Sequence, residues 1–155
     1  MQIFFLRHGA AEDKQPGGTD AERDLTSLGR RQANEVAAWL VAHDITPEAL
    51  SVSPRNRAVQ TAEPSASALD IQLQTDERLS GGQLTRDSLA DLIADAGNPE
   101  AIMLVGHEPD CSEMIGKLTG GNVHMATAAI AMVETDSLIS ANGVLEFLIP
   151  PAMRK

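Results

Sequence analysis

The sequence predicts an α/β fold: a three-layer sandwich with a mostly parallel central sheet of about six strands and helices on both faces, four in all. Three observations predict it. Short apolar runs alternate four times with segments of helical periodicity, an order that implies parallel strands joined by right-handed crossovers. The runs at residues 3–6, 49–53 and 101–105 are almost continuously apolar, as strands buried on both faces are. The chain of 155 residues, 43% hydrophobic and 22% charged, is long enough for one domain with its own core, and a single domain over 1–155 is expected.

The first strand, Ile3 to Leu6, stops abruptly at Arg7, His8 and Gly9. Those three residues fall just past the strand's carboxyl end, where open α/β sheets hold their ligand crevice. Gly9 lets the backbone turn sharply or come close to a bound group. Residues 10–24 are polar and contain Pro16-Gly17-Gly18, a loop lying over whatever Arg7 and His8 bind and long enough to suggest a function. Thr26 is a good N-cap, and Leu28, Ala33, Val36, Ala37, Leu40 and Val41 recur at helical spacing to about His43. After the second strand, Pro54 suits the start of a helix over 55–69, with Ala58, Val59, Ala62, Ala66 and Leu69 on one side. Pro64 inside it predicts a kink or an early break.

Residues 71–75 alternate like a strand, 76–82 form a loop containing Gly81-Gly82, and 85–96 predict a third helix with Leu89, Leu92, Ile93 and Ala96 inward. A turn at 97–99 leads into the strand at 101–105, which again ends in glycine and histidine, Gly106-His107. Pro109 suits the first turn of a fourth helix reaching about Thr119. Two strands follow near 127–134 and 144–149, with a turn at 141–143 between them, and the last five residues are expected to fray.

Composition excludes several classes of function. A net charge of −10 argues against nucleic acid or an anionic membrane as partner, since both need clustered lysine and arginine. Such a chain can bind phosphate only in a locally basic pocket, so the positions of its few arginines are informative. The single cysteine, Cys111, leaves no internal disulfide and fits a reducing cytoplasm. The start of the chain has too few apolar residues and no basic leader for a secretion signal, and no run reaches the roughly 20 residues of a membrane helix. The histidines at 8, 43, 107 and 124 show no ligand spacing, so neither a metal site nor a cofactor is expected.

The topology implied by the alternation brings Arg7-His8, the segment Ser53-Pro54-Arg55-Asn56-Arg57, and Gly106-His107 to one edge of one sheet. Arginine offers a rigid fork of donors that fits phosphate oxygens in pairs. A neutral histidine ring nitrogen is a competent nucleophile. Phosphoryl transfer needs charge neutralised on the equatorial oxygens and a nucleophile in line with the leaving group. Arg7, Arg57 and a protonated His107 could supply the charge, His8 the attack, and the helix start near Pro54 free backbone N–H groups. The other polar candidates have plainer readings: Arg55 at the rim, Arg23 and Asp24 fixing the long loop, His43 and His124 at the surface. Cys111 reads as a small buried hydrophobe, and Met103, Met114, Met125 and Met132 as core or lining.

Leu6-Arg7-His8-Gly9 resembles the signature of the histidine phosphatase superfamily, which includes phosphoglycerate mutases and small phosphatases. The segment from Ser53 to Ala62 resembles its second-arginine motif, and Val105-Gly106-His107 its second histidine. The absence of an insertion between the second strand and second helix, and the segment from Asp24 to Ala33, are similar to the SixA branch of phosphohistidine phosphatases. The resemblance implies that His8 takes the phosphoryl group as a covalent intermediate, that Arg7 and Arg57 clamp its oxygens, and that His107 donates to it before water hydrolyses the intermediate. Gly9, Ser53 and Arg55 complete the implied substrate-binding set. A backbone carbonyl should hold the proton on the non-attacking nitrogen of His8.

For a proton donor the resemblance offers Glu108, beside the second histidine, ahead of Glu77; SixA-type enzymes lack such an acid, because a leaving imidazole can be protonated on its own ring. Three functions follow from this reading. The first is a metal-independent phosphatase for a histidine-phosphorylated protein. The second is a phosphatase or mutase for a small phosphorylated metabolite, and the third a catalytically silent phosphate-binding module.

Overall fold

The computed structural model describes residues 1–154. Its elements run β1 (Gln2–Arg7), α1 (Ser27–Ala42), β2 (Ala49–Val52), α2 (Asn56–Leu69), β3 (Leu73–Thr75), α3 (Arg86–Asp95), β4 (Ala101–Gly106), α4 (Asp110–Thr119), β5 (Ile130–Glu134) and β6 (Val144–Ile149). The strands make one sheet in the order β3-β2-β4-β1-β5-β6. The first four are mutually parallel, whereas β5 runs antiparallel to both β1 and β6. This is the mostly parallel, three-layer α/β fold that the alternation of elements predicts.

Strand alternation divides the core between the two faces. Ile3 and Phe5 of β1, with Ile102 and Leu104 of β4, pack under Leu89 and Leu92 of α3 and Met114, Ile115 and Leu118 of α4. Phe4 and Leu6, with Met103 and Val105, pack on the other face under Val36 and Leu40 of α1 and Ala58, Ala62 and Ala66 of α2. Both faces of β1 and β4 are therefore covered, which is why their sequences are unbroken apolar runs.

The helix ends follow local chemistry. Thr26 caps α1 by accepting from the Gly29 N–H at 3.1 Å, and Thr85 and Ser88 close a reciprocal capping box on α3. Gly120 ends α4 at φ 77°, in the left-handed region that glycine enters at little cost.

Two expectations need correction. Of the kink or early break expected at Pro64, the break does not occur: α2 is continuous from Asn56 to Leu69. A proline at that position deprives only the Gln60 carbonyl of its helical donor, and the buried face of the helix (Ala58, Thr61, Ala62, Ser65 and Ala66) holds the turn in place. The C-terminal tail, where the chain was expected to fray, is anchored as far as it is described. Residues Pro151–Met153 form a 3-10 turn, and the buried Arg154 donates from Nη1 to the Ala128 carbonyl at 2.5 Å. Lys155 lies outside the described residues. Two strands also begin later than expected, β3 at Leu73 rather than 71 and β5 at Ile130 rather than near 127.

The loop over residues 10–24 is tied at its base. Glu12 donates its N–H to the Asp24 carbonyl at 2.8 Å, Thr26 to the Ala10 carbonyl at 3.0 Å, and a 3-10 turn forms at Asp20–Glu22. Among the described residues no helix is long and apolar enough to cross a membrane.

Candidate active site

Register decides what meets at the carboxyl edge of the sheet. Leu6 pairs with Val105, and Val105 with Val52, so β1, β4 and β2 end level. One step further, the His8 N–H reaches the Gly106 carbonyl and the Ser53 N–H the Val105 carbonyl, each at 3.0 Å. The rings of His8 and His107 then lie with centroids 5.1 Å apart. Three segments far apart in sequence form one cup, as the topology predicts.

His8 is held as a neutral ring of one tautomer. Its Nδ1 lies 2.7 Å from the Gly9 carbonyl. A carbonyl only accepts, so Nδ1 carries the proton and Nε2 keeps a free lone pair. Burial, reinforced by the charges of Arg57, Arg7 and Arg23, overcomes the raising effect of that hydrogen bond and lowers the pKa to about 4. Gly9 is itself fixed: its N–H donates to Thr61 Oγ1 at 2.9 Å, and a Cβ there would stand 2.9 Å from the Gly29 carbonyl oxygen of α1. The glycine is needed for close approach to a helix.

His107 is oriented by Ser53. The Ser53 hydroxyl is fully buried, lies 2.7 Å from His107 Nε2, and accepts from the Arg55 N–H at 3.2 Å. Its own proton is satisfied by donation to Nε2, which leaves the imidazole proton on Nδ1. Ser53, expected among the substrate-binding groups, thus faces the second imidazole. His107 was also expected to be protonated. Burial, followed by the charges of His8, Arg57 and Arg55, pushes its pKa down to about 3, so the ring is neutral near pH 7 and still offers an N–H from Nδ1.

The arginines divide into two kinds. Arg7 is anchored through Nη1 to the Met125 carbonyl at 2.9 Å. Arg57, buried at the first turn of α2, donates from Nη1 to the Asp20 carbonyl at 2.9 Å and from Nη2 to Asp20 Oδ2 at 3.1 Å. Arg55 spans the rim instead, with Nε on the Ser80 carbonyl at 2.6 Å and Nη1 on Asp20 Oδ2. Arg23 and Asp24 fix the long loop, as expected: Arg23 holds the Glu12 carbonyl and Asp20, while Asp24 accepts from Asn56 and Gln60.

Three buried nitrogens of this cup, Arg7 Nε, Arg57 Nε and His107 Nδ1, have no hydrogen-bond partner among the described residues. A buried donor left unmatched costs roughly 1–3 kcal/mol, and three on one cup mark a site shaped for an acceptor with several oxygens. The charges bearing on His8 are those of Arg57, Arg7 and Arg23, and among the described residues no three His, Cys, Asp or Glu side chains gather as a metal-binding group.

The two candidate acids lie differently. Glu108 turns both carboxylate oxygens to Ser112, accepting from its N–H at 2.9 Å and from its hydroxyl. The Ser112 hydroxyl in turn accepts from the Met125 N–H at 3.1 Å, so Glu108 braces the loop that holds Arg7. Glu77 has an exposed side chain in a 3-10 turn, Glu77–Leu79. His43 stacks on Trp39 at the surface, and His124 is exposed, next to the Met125 whose carbonyl holds Arg7. Burial raises the pKa of Cys111 and keeps it an inert thiol.

Sequence reasoning missed Asp20, Thr61 and the carbonyl of Met125. Thr61 was within reach, being four residues beyond Arg57 and so on the same face of α2. Asp20 carries no local signal to separate it from Asp13 or Asp24.

Fold and cup together define an α/β protein that presents an unprotonated imidazole nitrogen at the sheet edge where two arginines keep a buried Nε unmatched among the described residues. A family model described as histidine phosphatase superfamily (branch 1) matches residues 3–86, and the chain belongs to that superfamily. It is 32% identical over 139 residues to an uncharacterized protein of Picosynechococcus, covering 84% of this chain and 82% of the relative. It is 28% identical over 161 aligned positions to the phosphohistidine phosphatase SixA of Escherichia coli, covering 100% and 97% of the two chains. A solved structure of the protein histidine phosphatase SixA complexed with tungstate superposes with a TM-score of 0.84 at 27% identity, covering 98% of each chain.

Proposed function

We propose that this protein removes the phosphoryl group from phosphohistidine in a protein substrate, through a covalent phosphohistidine on His8 and without a metal ion. The observation that carries this reading is the pairing of a free His8 Nε2 with three buried donors, on the segments that meet at the same sheet edge, that are unmatched among the described residues. The donors fit the oxygens of a tetrahedral dianion, and the ring nitrogen fits the in-line nucleophile. The similarity to SixA, and to a SixA structure that holds a tetrahedral oxyanion, supports the same assignment.

In the first step His8 Nε2 bonds to phosphorus as the substrate's P–N bond breaks, and the leaving imidazole keeps the electron pair. Arg7 and Arg57 balance the charge on the equatorial oxygens, with the His107 Nδ1–H as a neutral donor. In the second step water attacks phosphorus, inorganic phosphate leaves, and the pair returns to Nε2. An imidazole protonated on its own ring departs without an external acid. Glu108, and behind it the exposed Glu77, are the carboxyl groups that could serve an ester. Only three residues separate β2 from α2, so no inserted segment covers the cup at that point and a protruding phosphohistidine can enter.

The test compares phosphohistidine protein with sugar phosphates and phosphoglycerate in excess EDTA. Phosphohistidine should be hydrolysed, with acid-labile phosphate appearing on the protein, and His8→Ala should lose both signals. Preferential turnover of the small esters would move the assignment to a metabolite phosphatase or mutase. Phosphate binding without turnover of any substrate would leave a silent binding module.

A further inference from the structure

We infer that Asp20, on the loop over the cup, is a positioning residue that holds the Arg57 guanidinium with one edge turned to the phosphoryl group. This rests on the phosphatase reading above.

A guanidinium offers two forks in its plane, an end fork from the two Nη atoms and a side fork from Nε and Nη2. Asp20 takes the end fork whole: its carbonyl accepts from Nη1 at 2.9 Å and its Oδ2 from Nη2 at 3.1 Å. Both hydrogen bonds of the Arg57 guanidinium among the described residues therefore end on a single residue. The Nε atom stays buried and unmatched, so the side fork is the one left for an oxyanion.

The same carboxylate collects Arg55 through Oδ2 and Arg23 through Oδ1, at 3.0 Å for the latter. Asp20 thus ties its loop to the start of α2 and gives one negative charge to three cations that would otherwise repel. Its own pKa falls to about 2, with the Arg23 hydrogen bond as the largest cause. It stays ionised at every pH where the enzyme would work, and has no proton to offer a leaving group. Its side chain is 46% exposed while that of Arg57 is 8% exposed. The loop therefore reaches a buried cation from the solvent side, leaving the sheet side to substrate.

The experiment compares wild type with Asp20→Ala and the isosteric Asp20→Asn, each checked for thermal unfolding. Two readouts are used: inhibition by vanadate, a transition-state analogue, and the side-chain 15N spectrum of Arg57. In wild type the two Nη groups should give separate signals, because rotation about Nε–Cζ is blocked. In Asp20→Ala they should merge, kcat on phosphohistidine should fall about tenfold to a hundredfold with KM changing less than about threefold, and vanadate should bind correspondingly more weakly. Asp20→Asn should lie between. Tighter vanadate binding in Asp20→Ala would overturn the inference, since the carboxylate would then be a competing occupant of the anion site. Unchanged kcat with a merely lower unfolding temperature would overturn it too. Should wild type act on no phosphohistidine, the phosphatase reading fails, while the Arg57 spectrum still reports whether Asp20 holds the guanidinium.

Discussion

Ser53 shows how one buried hydroxyl can set the chemistry of a histidine it does not resemble in sequence. It accepts from the Arg55 N–H, and its own buried proton has His107 Nε2 as its acceptor among the described residues, which leaves the ring proton on Nδ1. Replacing Ser53 with alanine leaves Nε2 without its donor and lets the ring adopt the other tautomer. Losing one buried partner costs roughly 1–3 kcal/mol, so kcat on phosphohistidine should fall about tenfold to a hundredfold in Ser53→Ala. The tautomer is read directly by 15N NMR of the imidazole. A Ser53→Ala protein with wild-type kcat and an unmoved His107 spectrum would show that the ring is set by something else. From sequence Ser53 read as a substrate contact, because a motif gives residue types at a strand end without the direction each side chain takes. The alternation rule would have separated them: Val52 points into the α1/α2 layer, and Ser53, one residue on, points away from it.

At the scale of elements, the cup depends on α1 lying unusually close to the segment after β1. A Cβ on Gly29 would stand 2.0 Å from the Ala10 carbonyl oxygen, and one on Gly9 would stand 2.9 Å from the Gly29 oxygen. These contacts are with backbone, which cannot swing aside, so Gly29→Ala must push α1 away or shift residues 8–10. We expect Gly29→Ala to lose about 2–4 kcal/mol in urea unfolding, and kcat to fall because the Gly9 carbonyl that fixes the His8 tautomer moves with it. A Gly29→Ala protein as stable and active as wild type would mean that the helix can recede freely. The order and type of the elements were legible because both faces of β1 and β4 are buried and the helices carry their caps in sequence. Close approach was only half legible: Gly9 stood out beside His8, whereas Gly29 lies inside a helical pattern with no local signal of the neighbour it must admit. Pro64 misled for the opposite reason, since packing of the buried face of α2 outweighed a local penalty that the sequence alone states correctly.

For the whole molecule, the cup is an electrostatic liability that folding must carry. The convergence of three strand ends was legible from chain order, but the state of the imidazoles was not, because it depends on burial and on arginines brought from elsewhere. Unfolded histidines bind protons near pH 6.5, whereas folded His8 waits until about 4 and His107 until about 3. Between those limits the unfolded chain binds more protons than the folded one, so stability rises with pH and is lost as pH falls. The contribution is complete above about pH 7 and drains away from there toward pH 3–4. Asp20 acts in a lower window, its contribution lasting down to the ordinary carboxylate range near 3.8 and then lost toward 2. Urea unfolding at pH 7.5, 6.0 and 5.0 should therefore show a steady fall in stability, shallower in His8→Asn and His107→Asn. An oxyanion in the cup adds negative charge beside both rings and supplies acceptors to the unmatched donors. Saturating vanadate or phosphate should thus raise the unfolding midpoint, and lift the pKa of both imidazoles toward the ordinary histidine range. Stability that stays flat from pH 7.5 to 5.0 in wild type would mean that the two rings are solvated like any surface histidine, and the cup would then lack the dry, cationic character that the proposed attack by His8 requires.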